Sequence, residues 1–547
     1  MKKQISLLMA AAICLCLCAC ASGSTYTETE AGIINGMVSD SGDAYIPSPD
    51  GTVETITGEV KTVQQTRDRK HTVILEEDGT LSVLSEGTRT VVAEEVDSFS
   101  SLTNDAFLFT QKKEVDASEA SVPAATEAAP AAPAAADDES KDTVSVDIRS
   151  RYVFDGGGIY TMPVTTSCRL SNEGGTLLYS AAVKNTKKYA LHMVKAGETE
   201  STILATTSNQ ISVAGVNHDG SVYAWAEGDQ NECTVYLFAN GEKQKAITGE
   251  KFNSTGYSLQ FNKQEDFAIL TSTNDTSMAL WTADGGIVKA KLPNSRYGVA
   301  YTTRGSLATY PDVEAGTVYI QTDGDSNTRN LYAVNTDGMR EKIANSITDV
   351  DIRFGNLYYI KDDGSLFTAK LSGSTLSDEH KIADSVCAFT VSPDGTAIVY
   401  ARDVASDNIG ALYYYSAGAE RPVRIASESF CWAYHWSYSG YWTYYLPAVF
   451  SNDGKTIYYF TDGSQIEDSY NYTTTLMQYT IAKGDSVRIG SDILPYVYSN
   501  NVGGYPETNR LWYYKYTSYD EEGQDVLCDL MYWNGESASV LANDIIK

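Results

Sequence analysis

The feature that most constrains this chain is a sequence repeat that runs from about residue 168 to residue 547. Each copy opens with a polar turn, continues with an apolar strand ending in Tyr or Trp, and adds a Leu-Tyr strand before a turn containing Gly. The clearest copy comprises Ser392–Gly395, Ala397–Tyr400 and Leu412–Tyr415, and a near twin begins with Ser451–Gly454 and Ile457–Phe460. Such a chain stacks equivalent units rather than folding around one irregular core.

The spacing of the repeat predicts a β-propeller. Copies recur at the turn positions 175, 220, 266, 316, 355, 395, 454 and 504. A unit of roughly 40–50 residues with four short strands is the size of one propeller blade. The 38 Tyr and 7 Trp, without helical periodicity, also favour strands. We therefore predict an all-β propeller of eight blades, with seven as the alternative; β-sandwich modules would not produce this internal order.

Two stretches resemble known propeller repeats. Ser392–Tyr400 resembles the TolB-like (Tol–Pal-type) repeat, which also occurs in the propeller domains of prolyl oligopeptidase-type enzymes. Gly355–Gly364, which reads Gly-x-Leu-Tyr-Tyr-x-x-x-Asp-Gly, resembles the tyrosine-rich propeller repeats of bacterial surface lipoproteins. The resemblance implies the fold and is nearly silent on function, because propellers host many activities.

The N-terminus has the layout of a secretory signal peptide. A basic start at Met1–Lys3 precedes the apolar run Ile5–Leu17, which is too short for a permanent membrane span. Leu17–Cys20 resembles the bacterial lipobox, and this resemblance implies that Cys20 is acylated and becomes the mature first residue. Two acyl chains would anchor the protein stably on the outer side of the cell membrane. An ordinary cleaved signal, giving a secreted protein, is the alternative.

Composition shifts suggest the domain organisation. We predict a signal peptide at 1–19, a flexible tether at 20–55 and an N-terminal β segment at 56–116 that is either separate or part of the propeller. Residues 117–142 are rich in Ala, Pro and acidic residues and contain no aromatic residue. Such a segment cannot bury enough apolar surface to order itself, so we predict a disordered linker before a propeller at 143–547.

The formal charge of −30 limits the partners. A nucleic acid backbone would be repelled, so no nucleic acid partner is predicted. The same charge opposes adhesion of the protein surface to anionic lipid, which leaves the lipid on Cys20 as the predicted membrane contact. A neutral or cationic ligand fits better.

The sequence lacks the common catalytic motifs. The patterns G-x-S-x-G, H-E-x-x-H, G-x-G-x-x-G and the P-loop are missing, and the five histidines are scattered. The acidic stretch Asp323–Asn327 does not have the spacing of an EF-hand loop. We therefore predict no enzyme, no metal and no cofactor. The alternative is a glycan-active enzyme with acidic residues at the central mouth of the propeller.

An aromatic segment, Phe430–Tyr445, lies in the longest gap between repeats. In a strand, alternation would place several of its aromatic residues on one side. Exposed aromatic residues dominate binding hot spots, whereas a strand pair that buries its own aromatic residues is the structural alternative. The predicted ligand-binding residues are Trp432, Tyr434, Trp436, Tyr438 and Trp442. The sequence thus predicts a membrane-anchored, extracytoplasmic binding or scaffold module for an envelope protein or a cell-wall or glycan ligand.

Overall fold

The computed structural model describes most of the chain beyond residue 33. The described residues are 34–35, 37–39, 41–47, 52–66, 68–116, 143–156, 158–163, 165–229, 232–250, 256–262, 265–272, 277–291, 311–312, 317–323, 328–335, 337–338, 340–405, 408–436, 441–451, 453–466, 472–495, 502–504, 511–519 and 526–546. The predicted signal peptide, the lipidation site Cys20 and the predicted linker 117–142 lie outside them.

Within these residues every regular secondary-structure element is a β-strand. The first four strands are β1 (Ile34–Asn35), β2 (Met37–Val38), β3 (Ala44–Pro47) and β4 (Val53–Ile56). Strands β2, β3 and β4 form a three-stranded sheet, and β1 pairs with the next strand along the chain, at Val60–Gln65.

Ten antiparallel units of four strands follow, and the first five are separate sheets. Unit 1 has β5 (Val60–Gln65), β6 (His71–Glu76), β7 (Leu81–Ser85) and β8 (Thr88–Ala93); unit 2 has β9 (Val96–Ser100), β10 (Ala106–Asp116), β11 (Thr143–Val153) and β12 (Gly158–Thr161); unit 3 has β13 (Thr165–Leu170), β14 (Thr176–Ala182), β15 (Tyr189–Lys195) and β16 (Thr202–Thr207); unit 4 has β17 (Gln210–Val216), β18 (Tyr223–Gly228), β19 (Cys233–Ala239) and β20 (Glu242–Glu250); unit 5 has β21 (Tyr257–Phe261), β22 (Phe267–Ser272), β23 (Ser277–Thr282) and β24 (Gly286–Lys291).

The last five units include two joined pairs and one insertion. Unit 6 has β25 (Pro311–Asp312), β26 (Thr317–Asp323), β27 (Arg329–Asn335) and the first half of β28 (Arg340–Arg353); unit 7 has the second half of β28, β29 (Asn356–Lys361), β30 (Leu366–Ser372) and β31 (Thr375–Ala383); unit 8 has β32 (Val386–Val391), β33 (Ala397–Arg402), β34 (Ile409–Ser416) and β35 (Val423–Phe430); the insertion has β36 (Trp432–Trp436) and β37 (Tyr441–Tyr445); unit 9 has β38 (Val449–Phe450), β39 (Thr456–Gln465), β40 (Tyr472–Thr480) and β41 (Asp485–Ile493); unit 10 has β42 (Val502–Gly504), β43 (Leu511–Tyr519), β44 (Val526–Trp533) and β45 (Ala538–Ile546).

Burial within the units has the gradient of a propeller blade. Second strands such as β22 and β29 are buried almost throughout, whereas fourth strands such as β31 are mostly exposed. First strands of successive units lie side by side, as β13 does with β17 and β17 with β21. The first strands therefore face the axis and the fourth strands form the outer rim, so the predicted β-propeller class is supported.

The predicted number of eight blades is not confirmed. Six of the eight predicted turn positions lie between the first and second strands of units 3, 4, 5, 7, 8 and 9. Position 504 is the last residue of β42, and position 316 lies outside the described residues. The described residues also form two further units upstream. Unit 2 is divided in sequence because β10 pairs with β11 across residues 117–142, in register from Ala106 opposite Val153 to Asp116 opposite Thr143. Residues 117–142 therefore separate two paired strands of one sheet.

One hydrogen-bonded turn recurs between the first and second strands. In unit 8 the Ser392 hydroxyl donates to Asp394 Oδ1 (2.6 Å) and accepts from the Ala397 amide (2.9 Å). The Gly395 amide donates to the Ser392 carbonyl (2.9 Å), which closes the turn. A side-chain oxygen accepts the same amide in five other units, at Thr66, Ser171, Asn217, Asn262 and Ser451. Such side-chain caps explain why Ser, Thr and Asn begin these turns.

These turns also contact one another from unit to unit. The Asp68 amide donates to Asn104 Oδ1 (3.2 Å), and the His218 amide donates to both carboxylate oxygens of Glu265 (3.0 and 2.9 Å). Gly175 lies under the ring of His218, where a Cβ would come within 2.5 Å of the imidazole. The described turns thus form a contact chain along one end of the propeller.

The three-stranded sheet β2–β4, which we call the clasp, joins the two ends of the series. Met37 is buried in the core of unit 10, and Ser39 forms a β-bridge with Ile545 of the last strand. On the other side, Ala44 and Ile46 are buried against the core of unit 1. The clasp therefore closes the ring between unit 10 and unit 1.

The turn geometry predicts different costs for two glycine substitutions. Gly395 and Gly454 both have positive φ values, +71° and +67°. We expect Gly454→Ala to lower the free energy of unfolding by about 1–2 kcal/mol, the cost of a left-handed conformation. Gly395→Ala should cost about 1–3 kcal/mol more, because its Cβ would lie 2.7 Å from the Arg353 carbonyl oxygen, whereas no atom lies within 4 Å of the Cβ at Gly454. Denaturant unfolding compares the two, and equal costs would contradict this packing.

The clasp predicts that Met37 stabilises the whole ring. Met37→Ala removes a side chain that is 3% exposed, so the free energy of unfolding should fall by about 2–5 kcal/mol. Thr55→Ala on the exposed side of the clasp is the matched control and should change it by no more than about 0.5 kcal/mol. Similar small changes for both variants would mean that the clasp does not hold the ring closed.

Candidate functional site: the aromatic hairpin

The predicted aromatic segment is a β-hairpin inserted between units 8 and 9. Strands β36 and β37 pair antiparallel, with Trp432 opposite Tyr445, Tyr434 opposite Thr443, and Trp436 opposite Tyr441. Directly opposed positions of an antiparallel pair share one face of the ladder. One face therefore carries five aromatic positions, at Trp432, Tyr434, Trp436, Tyr441 and Tyr445.

The register divides the predicted ligand-binding set. Trp442 is opposite His435 and therefore lies on the other face of the ladder from Trp432, Tyr434 and Trp436. Tyr438 lies outside the described residues. The role of these residues in binding stays a prediction. Tyr441 and Tyr445 are not among the predicted ligand-binding residues, because only the pairing register assigns them to the same face as Trp432.

The base of the hairpin is fixed in the protein core. Phe430 and Cys431 are buried immediately before β36, and Leu446 and Ala448 are buried immediately after β37. The Cys431 amide donates to the Asn408 carbonyl (2.7 Å), and burial raises the pKa of the Cys431 thiol well above its usual range. The two ends of the insertion are thus held by the packing between units 8 and 9.

The hairpin lies on the axis side of the ring. Strand β37 runs next to β32, the first strand of unit 8. Because first strands face the axis, the insertion lies at the inner edge of this unit rather than at the exposed rim. A ligand bound to it would lie near the central channel around which propeller blades are arranged.

Acidic side chains at the recurring turns are engaged within those turns. Burial raises the pKa of Asp394, but hydrogen bonds from Ser392 and Thr396 outweigh it and leave the pKa below its usual value. The same balance lowers the pKa of Asp453 through Ser451 and Lys455. For Asp219 the hydrogen bonds from Ser221 are the largest cause of a lowered pKa. Carboxylates held ionised in this way stabilise turns and are poor general acids at neutral pH.

Neither a metal-binding cluster nor a membrane-spanning helix is found among the described residues. Among them, no group of three or more His, Cys, Asp or Glu side chains could hold a metal ion. No helix in the described part of the chain is long and apolar enough to cross a membrane.

Comparisons with known proteins find propeller structures. No protein-family model and no curated protein matches the sequence. A eukaryotic initiation factor structure is similar over 70% of this chain and 88% of its own, with 11% identity and a TM-score of 0.36. The β-propeller domain of the Trilobed protease from Pyrococcus furiosus covers 61% of this chain and 97% of its own, with 12% identity and a TM-score of 0.26.

A third similar structure is dipeptidyl peptidase 4 from Porphyromonas gingivalis, with 10% identity and a TM-score of 0.34. The match covers 86% of this chain and 64% of the peptidase, less than two thirds of its length. These distant similarities carry no argument about activity. The resemblance to TolB-like repeats stays a prediction.

The prediction that the chain is not an enzyme needs correction. Peptidases are among the similar structures, including prolyl endopeptidases, an acylaminoacyl peptidase and dipeptidyl peptidase 4. The absence of known motifs does not exclude an enzyme, because catalytic groups can come from distant positions in a sequence.

The turn carboxylates predict acid sensitivity. A folded-state pKa below the unfolded value of 3.8 contributes stability that is present above about pH 4 and is lost as the pH falls through the folded value. Asp394→Asn should therefore destabilise the protein most at neutral pH, and its difference from wild type should shrink below pH 4. Unfolding midpoints measured from pH 7 to pH 2 check this, and a pH-independent difference would contradict it.

Proposed function

We propose that this protein is a lipid-anchored, extracytoplasmic binding module that engages an envelope protein or a wall glycan through the aromatic hairpin. The main support is the pairing register, which assigns Trp432, Tyr434 and Trp436 to the same ladder face as Tyr441 and Tyr445. Large aromatic residues provide contact area at low cost in side-chain entropy and are enriched in binding hot spots.

Composition supports a ligand without strong negative charge. Residues 432–445 contain three Trp and five Tyr but no Asp, Glu, Lys or Arg. The remainder of the chain supplies a net charge of −30, which repels anionic polymers. Neutral sugar rings and uncharged or basic peptide segments are the ligand classes compatible with both properties.

The anchor would hold this site close to the membrane. Met37 is 17 positions after Cys20, a length that spans at most roughly 60 Å when fully extended. Because Met37 belongs to the clasp, the seam between units 10 and 1 would be the part of the ring nearest the anchor. The protein would therefore meet ligands in the layer immediately outside the membrane.

The hairpin offers a matched test of this proposal. Replacing Trp432 and Trp436 by Ala should weaken ligand binding about 30-fold or more, the effect of losing a hot spot. Trp442→Ala, on the opposite face of the same hairpin, is the control and should bind nearly normally. Circular dichroism and the unfolding midpoint establish that each variant is folded.

The measurement is crosslinking on intact cells followed by mass spectrometry, with sedimentation on purified wall glycan in parallel. A protein partner lost only in the Trp432/Trp436 variant would identify a scaffold, and glycan sedimentation lost in the same way would identify a wall-binding module. Equal binding by both variants, or no binding by the wild-type protein in either assay, would contradict the proposal.

A further inference from the structure

A hydroxyl, an imidazole and a carboxylate come together at the junction of units 1 and 2. Ser85 Oγ lies 2.7 Å from His71 Nδ1, and Asp155 Oδ1 lies 3.9 Å from the other ring nitrogen, Nε2. The imidazole is 6% exposed, the Asp155 side chain is 86% exposed, and Ser85 is half-buried. A nucleophile within hydrogen-bond reach of a base, with a carboxylate beyond the base, is the arrangement that activates serine.

The fold fixes the geometry of this group from three sides. His71 and Ser85 are opposed positions on β6 and β7, so the backbone register determines their approach. The ring of Phe154 stacks on the imidazole at 4.2 Å and 3°, which sets the plane of the ring. The Thr66 hydroxyl accepts the His71 amide (3.1 Å), through the recurring turn of unit 1.

We propose that Ser85 and His71 form an acyl-transfer site for small esters, with Asp155 as a positioning residue. In the tautomer of the neutral imidazole that carries its proton on Nε2, the Ser85 hydroxyl donates to His71 Nδ1. Attack of Ser85 Oγ on an ester carbonyl carbon forms the new C–O bond while the hydroxyl proton passes to Nδ1. Asp155 stabilises the resulting imidazolium from the Nε2 side.

The proposed reaction consumes only the ester and water. When the tetrahedral intermediate collapses, the C–O bond to the leaving alcohol breaks, and the proton on Nδ1 passes to the departing oxygen. Water then repeats the sequence on the acyl-Ser85 and releases the carboxylic acid. The imidazole is shielded by Phe154 while Ser85 stays half-exposed, so a small ester can reach the hydroxyl without opening the core.

The chain contains a matched comparison pair. Ser201 Oγ lies 3.0 Å from His192 Nδ1, and this imidazole stacks on Tyr179 at 4.8 Å and 5°. Both residues are half-buried, and burial lowers the pKa of His192. The described contacts of His192 are this hydroxyl and this ring, so the pair resembles the first but has no carboxylate on the far side of the ring.

The test is covalent labelling of the full-length protein with a fluorophosphonate, which forms an O–P bond with an activated serine and releases fluoride. We expect one label, located on Ser85 by peptide mass spectrometry and lost in Ser85→Ala. Ser201→Ala should label normally, and His71→Asn should label about 100-fold or more slowly. Absence of labelling in the folded wild-type protein, or equal labelling of Ser85→Ala, would overturn the proposal.

Asp155 has its own readout. Because its side chain is largely exposed, Asp155→Asn should slow labelling by only up to about fivefold. Asp155→Glu should restore the rate, since it returns the carboxylate. Because Asp155 has a φ of 55°, which Asn tolerates better than Glu, the Glu variant should unfold at a slightly lower midpoint than the Asn variant. Equal labelling rates for the Asn and Glu variants would show that Asp155 is not part of the site.

The His71→Asn variant could lose labelling because it unfolds. In that case the comparison of Ser85→Ala with Ser201→Ala still tests the proposal.

Discussion

A four-stranded sheet has two apolar faces, and the need to cover both of them is the constraint on which this structure depends. Strands such as β22 and β29 are buried almost throughout because units on either side cover them. The first and last units would each retain one uncovered face if the series stayed open. The clasp resolves this: Met37 is buried in unit 10, while Ala44 and Ile46 are buried against unit 1. Ring closure therefore depends on the segment of the described chain nearest the predicted anchor.

The recurring turn connects these units along one end of the ring. A side-chain oxygen accepts the amide that opens the second strand, and the carboxylate two residues later accepts the backbone beyond it, as Ser392 and Asp394 do. Its glycine position approaches the neighbouring unit, as Gly395 approaches Arg353. Features that distinguish one unit from another are therefore places where the chain departs from the repeat. The aromatic hairpin and the Ser85–His71 pair are two such departures, one an insertion at the axis side and the other at the junction of units 1 and 2.

Local signals explain what the sequence could predict. Turns that begin with Ser or Asn, such as Ser451–Gly454, help to identify units 3, 4, 5, 8 and 9, because each of these turns encodes its own hydrogen bonds. Unit 1 escapes this pattern: its turn begins at Thr66, and Arg69 takes the positive φ (60°) that glycine takes elsewhere. Unit 2 is hidden because residues 117–142 separate its paired strands. The aromatic segment was predictable from the sequence, but its pairing register was not. Contacts such as that between Ser39 and Ile545 were not predictable either, because they join distant parts of the sequence and follow no periodic pattern.

The central claim, that the clasp closes one continuous ring, is tested most directly by a disulfide across the seam. Bridged β positions have Cα atoms about 4.5–5.5 Å apart, within the range that a disulfide spans. Because native Cys528 lies directly opposite Ile545 in the last sheet, the test uses a Cys528→Ala background. In that background, cysteines at Ser39 and Ile545 should form an intramolecular bond in the folded monomer on mild oxidation, identified by peptide mass spectrometry. A pair at Thr55 and Ile545 should stay reduced. If the Ser39–Ile545 pair stayed reduced in the folded protein, or linked only between molecules, the ring would not be closed by the clasp.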